Sequence, residues 1–474
     1  MQAPELLKEH RYDIIIVLIL LILGLVSRFF GISYQSLWID EGATYYYSHF
    51  TWEQYSDAAE PNSPVFYMME GAFFSLLGRN EFAMRFFSAL CSAFTVPLVY
   101  VLCQKIVGNR YVSAVAGALT LISPIMIEYG QEGRGYAAIV FLFMCQMLAL
   151  IYALERREWK FWIALSVFSA LGMCMHYVSM VATFTIYLYA VLYLRKEWLK
   201  KEFGGLIKTV ASGILTLMLS SPLIAYMIDA GKESSSHEHW DWCYIGPDYL
   251  YDLLRDFLFD IDFLILVPFV ALGGFLLLRM DRTRGSLVCW FTLMPIVLST
   301  VASYMMNMTP RYVLWGAIGM YIMLACSILL LTNGEEKKFR RNTAVAAVAI
   351  IVIACICLPP YYTDITKTDY RGGAQALEDN VQEGDTVLYA PSWENMVFGA
   401  LSFYYDPTDH GAYVYGVSSD EEFQQYLSEA TGTVYVVVMQ EYPPFDLLED
   451  TDSPNCQKIH TGYWMTVWKI TGPL

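Results

Sequence analysis

Asp40 and Glu41 stand side by side in Leu37-Trp38-Ile39-Asp40-Glu41-Gly42-Ala43, with Thr44-Tyr45-Tyr46-Tyr47 behind them. A carboxylate placed beside a hydroxyl nucleophile takes its proton during attack, which makes Asp40 the leading candidate for a general base and Glu41 its neighbour in the site. The bland alternative is a solvated acidic loop. A second cluster, Glu128-Tyr129-Gly130-Gln131-Glu132-Gly133-Arg134-Gly135-Tyr136, lies between two apolar stretches. Glu128 and Glu132 would share a face if the helix continued. The glycines favour an irregular, close-approach backbone instead. Ionisable groups between apolar segments are costly unless they are used.

Cations complete the chemistry. Arg311, in Thr309-Pro310-Arg311-Tyr312, is the basic residue of a short connection, and Arg85 stands in Ala83-Met84-Arg85-Phe86-Phe87-Ser88. A guanidinium pairs with phosphate in a fixed fork, although snorkelling at an interface would also place arginines there. Arg134 and Tyr312 belong to the same potential anion site. Asn62 and Tyr67 share the long connection of Asp40, and with Tyr129 and Glu128 they are candidate substrate contacts. His237 and His239 are weak metal-ligand candidates, since donors two apart in a loop form a loose pattern. The acids leave room for a divalent metal without requiring any cofactor.

The elements that must hold these residues are membrane helices. The chain has 474 residues, 56% hydrophobic and 16% charged, with mean hydropathy +0.40. Long uncharged runs of that kind mark a polytopic membrane protein. Stretches of about 20 residues, long enough to span, fall at 12–30, 83–106, 111–127, 136–154, 161–176, 178–194, 206–228, 262–278, 286–305, 312–331 and 343–360. The apolar stretch 64–78 is shorter and carries Glu70, which suits a helix lying along the interface. Alternate connections hold Lys8/Arg11, Lys105/Arg110, Arg156/Arg157/Lys160, Arg195 through Lys208, Arg279/Arg282/Arg284 and Lys337 through Arg341, and the other set is acidic. The positive-inside rule then puts the N-terminus in the cytoplasm, the acidic clusters outside, and the C-terminal segment outside. The first apolar run, which has no small-residue cleavage site, reads as a retained anchor.

Net charge −16 argues against nucleic acid as a partner. Eight of the ten cysteines fall in apolar runs as small hydrophobes, so the cysteines form no disulfide framework. Beyond Pro359-Pro360 the composition turns polar. Short apolar runs at Thr386–Ala390, Val434–Gln440 and Tyr463–Ile470 alternate with helical stretches at 370–382, 394–405 and 420–429. That alternation predicts an α/β domain over 361–474, after a membrane domain of eleven helices over 1–360.

In order along the chain, these segments resemble the GT-C membrane glycosyltransferases, in particular the protein O-mannosyltransferase and aminoarabinose-transferase-like branch. The resemblance rests on Trp38-Ile39-Asp40-Glu41 after the first span and Pro64-Val65-Phe66-Tyr67 opening a juxtamembrane helix. It continues through Leu77-Gly78-Arg79-Asn80-Glu81-Phe82-Ala83-Met84-Arg85, Ser123-Pro124, Tyr129 to Tyr136, and Pro310-Arg311-Tyr312. It implies a GT-C-like helical fold and transfer of a sugar from a polyprenyl-phosphate carrier to a protein, lipid or glycan acceptor at the outer face. Asp40 would be the base and Glu132 the second acid, with Glu128 behind it; Arg311 and Arg134 would hold the carrier phosphate. Relatives often carry a lysine or histidine and a double proline where this chain has Asn62-Ser63-Pro64, so a charged phosphate contact is missing there. A single displacement with one carboxylate predicts inversion at the sugar carbon. The rival reading, a transporter or flippase of a lipid-linked or anionic substrate, would place its ionisable groups at mid-span and not at helix ends.

Overall fold

The computed structural model describes residues 10–58, 62–233, 243–260, 265–327, 335–439 and 453–472. Its helices are α1 (Arg11–Phe29), α2 (Ile39–Tyr47), α3 (Trp52–Ala58), α4 (Pro64–Leu77), α5 (Glu81–Val107), α6 (Arg110–Ile122), α7 (Pro124–Glu128), α8 (Tyr136–Arg156), α9 (Trp159–Met175), α10 (Ser179–Tyr193), α11 (Arg195–Leu199), α12 (Gly204–Glu233), α13 (Pro247–Phe257), α14 (Val267–Met280), α15 (Arg282–Ala302), α16 (Trp315–Cys326) and α17 (Glu336–Thr363). A helix stands at each of the eleven stretches expected to span. Six of them, α1, α5, α8, α12, α15 and α17, are long and apolar enough to cross a membrane unaided; α6, α9, α10, α14 and α16 are apolar but shorter.

Local chemistry fixes the helix ends. Asn80 and Asn109 cap α5 and α6, each side chain accepting from a backbone N–H of the first turn. The bundle packs α5 against α1, α6 and α8, α9 against α8 and α12, and α16 against α6, α14 and α15. Arg28 is fully buried near the end of α1, where it donates to the carbonyls of Thr120 and Leu121 at the end of α6 and to Ser92 Oγ on α5. A cation there satisfies carbonyls that the helix leaves open. Helix α4 accommodates its acid by turning Glu70 inward with Phe66 and Tyr67, while Val65, Met68, Leu76 and Leu77 face outward.

The C-terminal segment adds α18 (Tyr370–Glu378), β1 (Thr386–Ala390), a helical stretch Glu394–Ser402 whose second half is α19 (Gly399–Ser402), β2 (Tyr413–Gly416), α20 (Asp420–Glu429), β3 (Val434–Met439), β4 (Cys456–Gly462) and β5 (Met465–Ile470). The sheet order is β2-β1-β3-β5-β4. β1 runs parallel to β2 and β3, while β5 is antiparallel to β3 and to β4. β1 and β3 are buried along their whole length because both sheet faces are covered. Val387, Tyr389, Val437 and Val467 pack with Tyr370 and Leu377 of α18 on one face. Leu388, Val436 and Val438 pack with Phe423 of α20 on the other. The expected strands and helices of this segment are present; β2 and β4, edge strands with partly polar faces, are additions.

Candidate active site

The first turn of α2 builds the site. Glu41, the third residue of that helix, reaches back to accept from the N–H of Trp38 at 2.7 Å, half of a capping box. Its carboxylate also takes both arms of Arg85 (Nε–Oε1 2.7 Å, Nη2–Oε2 2.8 Å), the N–H of Gly133 at 2.8 Å and the ammonium of Lys367 at 3.2 Å. Glu41 is completely buried and Arg85 nearly so. Burial pushes the Glu41 pKa up, but Arg85 and Lys367 outweigh it and hold it at about 2. The remaining N–H groups of Arg85 go to the carbonyls of Ile32, Gln35 and Ser36. All five guanidinium donors are thus taken by protein acceptors, which leaves none for a phosphate in this arrangement.

Asp40 points elsewhere. Its Oδ2 lies 3.0 Å from Nη1 of Arg311, which the short 3₁₀ turn Pro310–Val313 presents at the head of α16. Both side chains are largely but not wholly buried. Burial alone would raise the Asp40 pKa; Arg311 and then Arg134 reverse that and hold it below the ordinary aspartate value. Arg311 lies over the rings of Tyr136 and Tyr312, at 5.5 and 5.8 Å. Tyr129, His176 and Tyr177 extend this aromatic wall through Tyr136 and Tyr312.

The loop between α7 and α8 packs against the first turn of α2. Gly133 is needed there for space: a Cβ would come within 2.5 Å of Met84 Sδ and 2.8 Å of the Met84 carbonyl. That close approach lets Gly133 donate to Glu41 and accept from Thr44 Oγ1 at 2.9 Å. Arg134 donates to the Asp40 carbonyl and to Tyr67 Oη, both at 3.3 Å, and stands over the Tyr67 ring. Glu132 is 4% exposed, and its Oε1 has no hydrogen-bond partner among the described residues. Burial raises its pKa to about 7, with Asp40 and Glu41 adding to the rise and Arg311 and Lys367 opposing it.

The structure therefore gathers Asp40, Glu41, Glu132, Arg85, Arg134, Arg311, Tyr312, Tyr67 and Tyr129 around the head of α2. Glu128, at the end of α7, is exposed, and Asn62 lies just before α4. His237 and His239 lie outside the described residues. Among the described residues no group of three or more His, Cys, Asp and Glu side chains could hold a metal ion. Lys367 is the residue that sequence reasoning missed. It stands in the unremarkable stretch Asp364-Ile365-Thr366-Lys367 after α17, and only the fold brings it to Glu41. Burial and Arg85 lower its pKa, against Glu41 and Glu132.

Residues 60–226 match the family described as Dolichyl-phosphate-mannose-protein mannosyltransferase. An uncharacterized protein of Aquifex aeolicus (strain VF5) is 23% identical over 365 residues, 73% of this chain and 70% of that protein. The crystal structure of ArnT from Cupriavidus metallidurans in the apo state shares the fold with a TM-score of 0.66 at 12% identity, over 98% of this chain and 100% of that one. The same protein bound to undecaprenyl phosphate gives 0.65 at the same identity and coverage. The family match thus takes in Arg85, Glu132 and Arg134 but neither Asp40 nor Arg311, and along its length the chain has the fold of ArnT.

Proposed function

We propose that the chain transfers a sugar from a polyprenyl-phosphate-linked donor to a hydroxyl acceptor, with inversion at the sugar carbon. The observation that carries this reading is the Asp40–Arg311 pair with Glu132 beside it. It joins a carboxylate able to take a proton to a cation able to take a phosphate, within one buried cluster. ArnT, which shares the fold, is known bound to undecaprenyl phosphate, and that supports the choice of carrier.

In the reaction the acceptor oxygen attacks the anomeric carbon. Its proton passes to the Asp40 carboxylate as the bond from that carbon to the phosphate oxygen breaks. The carrier phosphate leaves with the bonding electrons, and Arg311 and Arg134 stabilise the charge it gains, so no strong general acid is required. Glu41 and Arg85 act by position, locking the first turn of α2 to α5 and to the loop at Gly133. Tyr312, Tyr136 and Tyr129 supply ring faces for the sugar or its carrier.

The charge pattern of the connections supports an N-terminus in the cytoplasm and a site on the far side of the membrane. The chain then divides into a membrane part, 1–360, and an extracytoplasmic α/β part, 361–474, and the second part contributes Lys367 to the first. The deciding experiment follows release of polyprenyl phosphate from radiolabelled donors by purified protein in lipid, wild type beside Asp40→Asn. Donor-dependent release that falls about 10²–10⁴-fold in the variant fits the carboxylate base. Turnover that survives Asp40→Asn moves the base to Glu132, and no turnover with any donor removes the reading.

A further inference from the structure

A cavity of about 350 Å³ adjoins the Lys367–Glu41 pair, at the small end of the ~300–1,000 Å³ typical of ligand pockets. Phe30 after α1, Tyr361 to Thr363 at the end of α17, and Gln131 from the loop after α7 bound it. These walls are already tied to one another. Tyr362 Oη donates to the Ser27 carbonyl at 2.6 Å, and Tyr361 Oη donates to Gln131 Oε1 at 3.1 Å. The Gln131 amide donates to the carbonyls of Arg28 and Phe30. Arg85 also borders the cavity, but its donors are occupied, as described above.

Lys367 is the second cation of this wall, beside Arg85. Its ammonium has three donors and meets one carboxylate oxygen among the described residues, Glu41 Oε2 at 3.2 Å. Arg85 already pairs with Glu41, so the remaining donors of Lys367 can turn to an anion in the cavity, with Glu128 and Glu132 the other acids on which it acts.

The two helices that end at the cavity are also the two least buried of the six long apolar helices. None of the span of α17 is buried and 17% of that of α1, against 28% to 78% for the other four long apolar helices. Phe30 just after α1, Val26 on α1, and Ile356 and Val352 on α17 are exposed apolar side chains. A lipid whose chain lies along these surfaces brings its headgroup to the cavity without crossing the bundle.

We propose that the phosphate of the lipid-borne substrate comes in between the ends of α1 and α17 and is received in this cavity by the Lys367 ammonium. The inference rests on the polyprenyl-phosphate reading above and adds to it a route and a receiving residue. From Lys367 the phosphate is handed toward Arg311, and both cations act on Glu132.

The test is binding of undecaprenyl phosphate to the full chain in phosphatidylcholine nanodiscs, for wild type, Lys367→Gln, Lys367→Arg, Thr363→Trp and Arg311→Gln. Thr363 is exposed on the cavity wall, so a tryptophan there narrows the space and leaves the Lys367–Glu41 pair in place. The Kd is expected to rise tenfold or more in Lys367→Gln and in Thr363→Trp, and to return most of the way in Lys367→Arg. Wild-type binding in both Lys367→Gln and Thr363→Trp, with Arg311→Gln impaired, overturns the route while the proposed function stands. No binding of the lipid by wild type overturns both. Inorganic phosphate is the second probe: Lys367-dependent stabilisation by it, with lipid binding unmoved, assigns the cavity to a soluble anion and overturns the lipid route. If Lys367→Gln fails to fold, Thr363→Trp decides alone.

Discussion

Arg311 holds Asp40 across the site, Nη1 to Oδ2 at 3.0 Å, joining the head of α16 to the first turn of α2. A carboxylate paired in this way is a weak base. A phosphate arriving at the guanidinium competes for the same donors, and it gains a charge-assisted, two-pronged contact in exchange. Donor binding at Arg311 would therefore release Asp40 at the moment its basicity is needed.

The first prediction follows from that coupling. Arg311→Gln is expected to lower kcat/KM for the lipid-linked donor by about 10²–10³-fold, the scale of losing one charge-stabilising group. Arg311→Lys, which keeps the charge but not the fork, should recover part of the loss. Release of polyprenyl phosphate under single-turnover conditions measures both. Full activity in Arg311→Gln would remove Arg311 from the reaction.

Glu132 gives a prediction with a definite sign. Its pKa is raised to about 7 in the folded chain, above the ordinary glutamate value of 4.5. Between those two values the folded state binds the proton more tightly than the unfolded state does. The stability conferred by neutral Glu132 is thus full at low pH and is lost as pH rises through about 7. Glu132→Gln, which is neutral throughout, should raise the melting temperature at pH 8 and change it little at pH 5. An equal shift at both pH values would mean that Glu132 does not titrate in this interval.

Much of this arrangement was legible before the fold was known, and the reasons differ from residue to residue. Hydrophobic runs broken by charged connections marked a helix at each of eleven stretches, because burying backbone in lipid leaves few alternatives to a helix. The run Thr386–Ala390 was readable as a strand because both of its faces are buried. β2 and β4 were not, since an edge strand with one polar face carries a weak apolar signal. Asp40, Glu132 and Arg311 stood out as charges beside apolar spans. The occupation of Arg85 by Glu41 was hidden, because partners 44 residues apart in sequence are paired by packing alone. Lys367 was hidden for the same reason, at 326 residues from Glu41.

The buried pair itself can be tested separately from chemistry. Breaking such a pair by removing one partner leaves an uncompensated buried charge and costs ~3–5 kcal/mol. Glu41→Gln and Arg85→Met should therefore lower the melting temperature in detergent far more than Asp40→Asn does, since the side chains of Asp40 and Arg311 are 13% and 12% exposed against 0% and 2% for Glu41 and Arg85. The double variant Glu41→Gln/Arg85→Met should be milder than the sum of the two, because neither charge is left alone. Additive losses would show that the two residues stabilise the fold independently.

A final prediction concerns the joint between α2 and the C-terminal α/β unit. Gly42 packs its bare Cα against backbone of the Glu394–Ser402 segment. A Cβ there would lie 2.7 Å from the Ala400 nitrogen and closer still to the Met396 carbonyl, while one on Gly399 would lie 2.6 Å from the Gly42 carbonyl. Neither neighbour is a flexible side chain, so the two segments must separate to admit a methyl group. Overpacking of this kind costs ~1–3 kcal/mol, and because Gly42 follows Asp40 and Glu41 directly, the displacement acts on the site as well. Gly42→Ala and Gly399→Ala should each lower both thermal stability and transfer rate. Gly204→Ala, with nothing within 4 Å of the added atom, should change neither. Retained activity in Gly42→Ala together with a lowered melting point would separate the joint from the chemistry, and the first turn of α2 would then be held by Arg85, Gly133, Lys367, Arg134 and Arg311 without it.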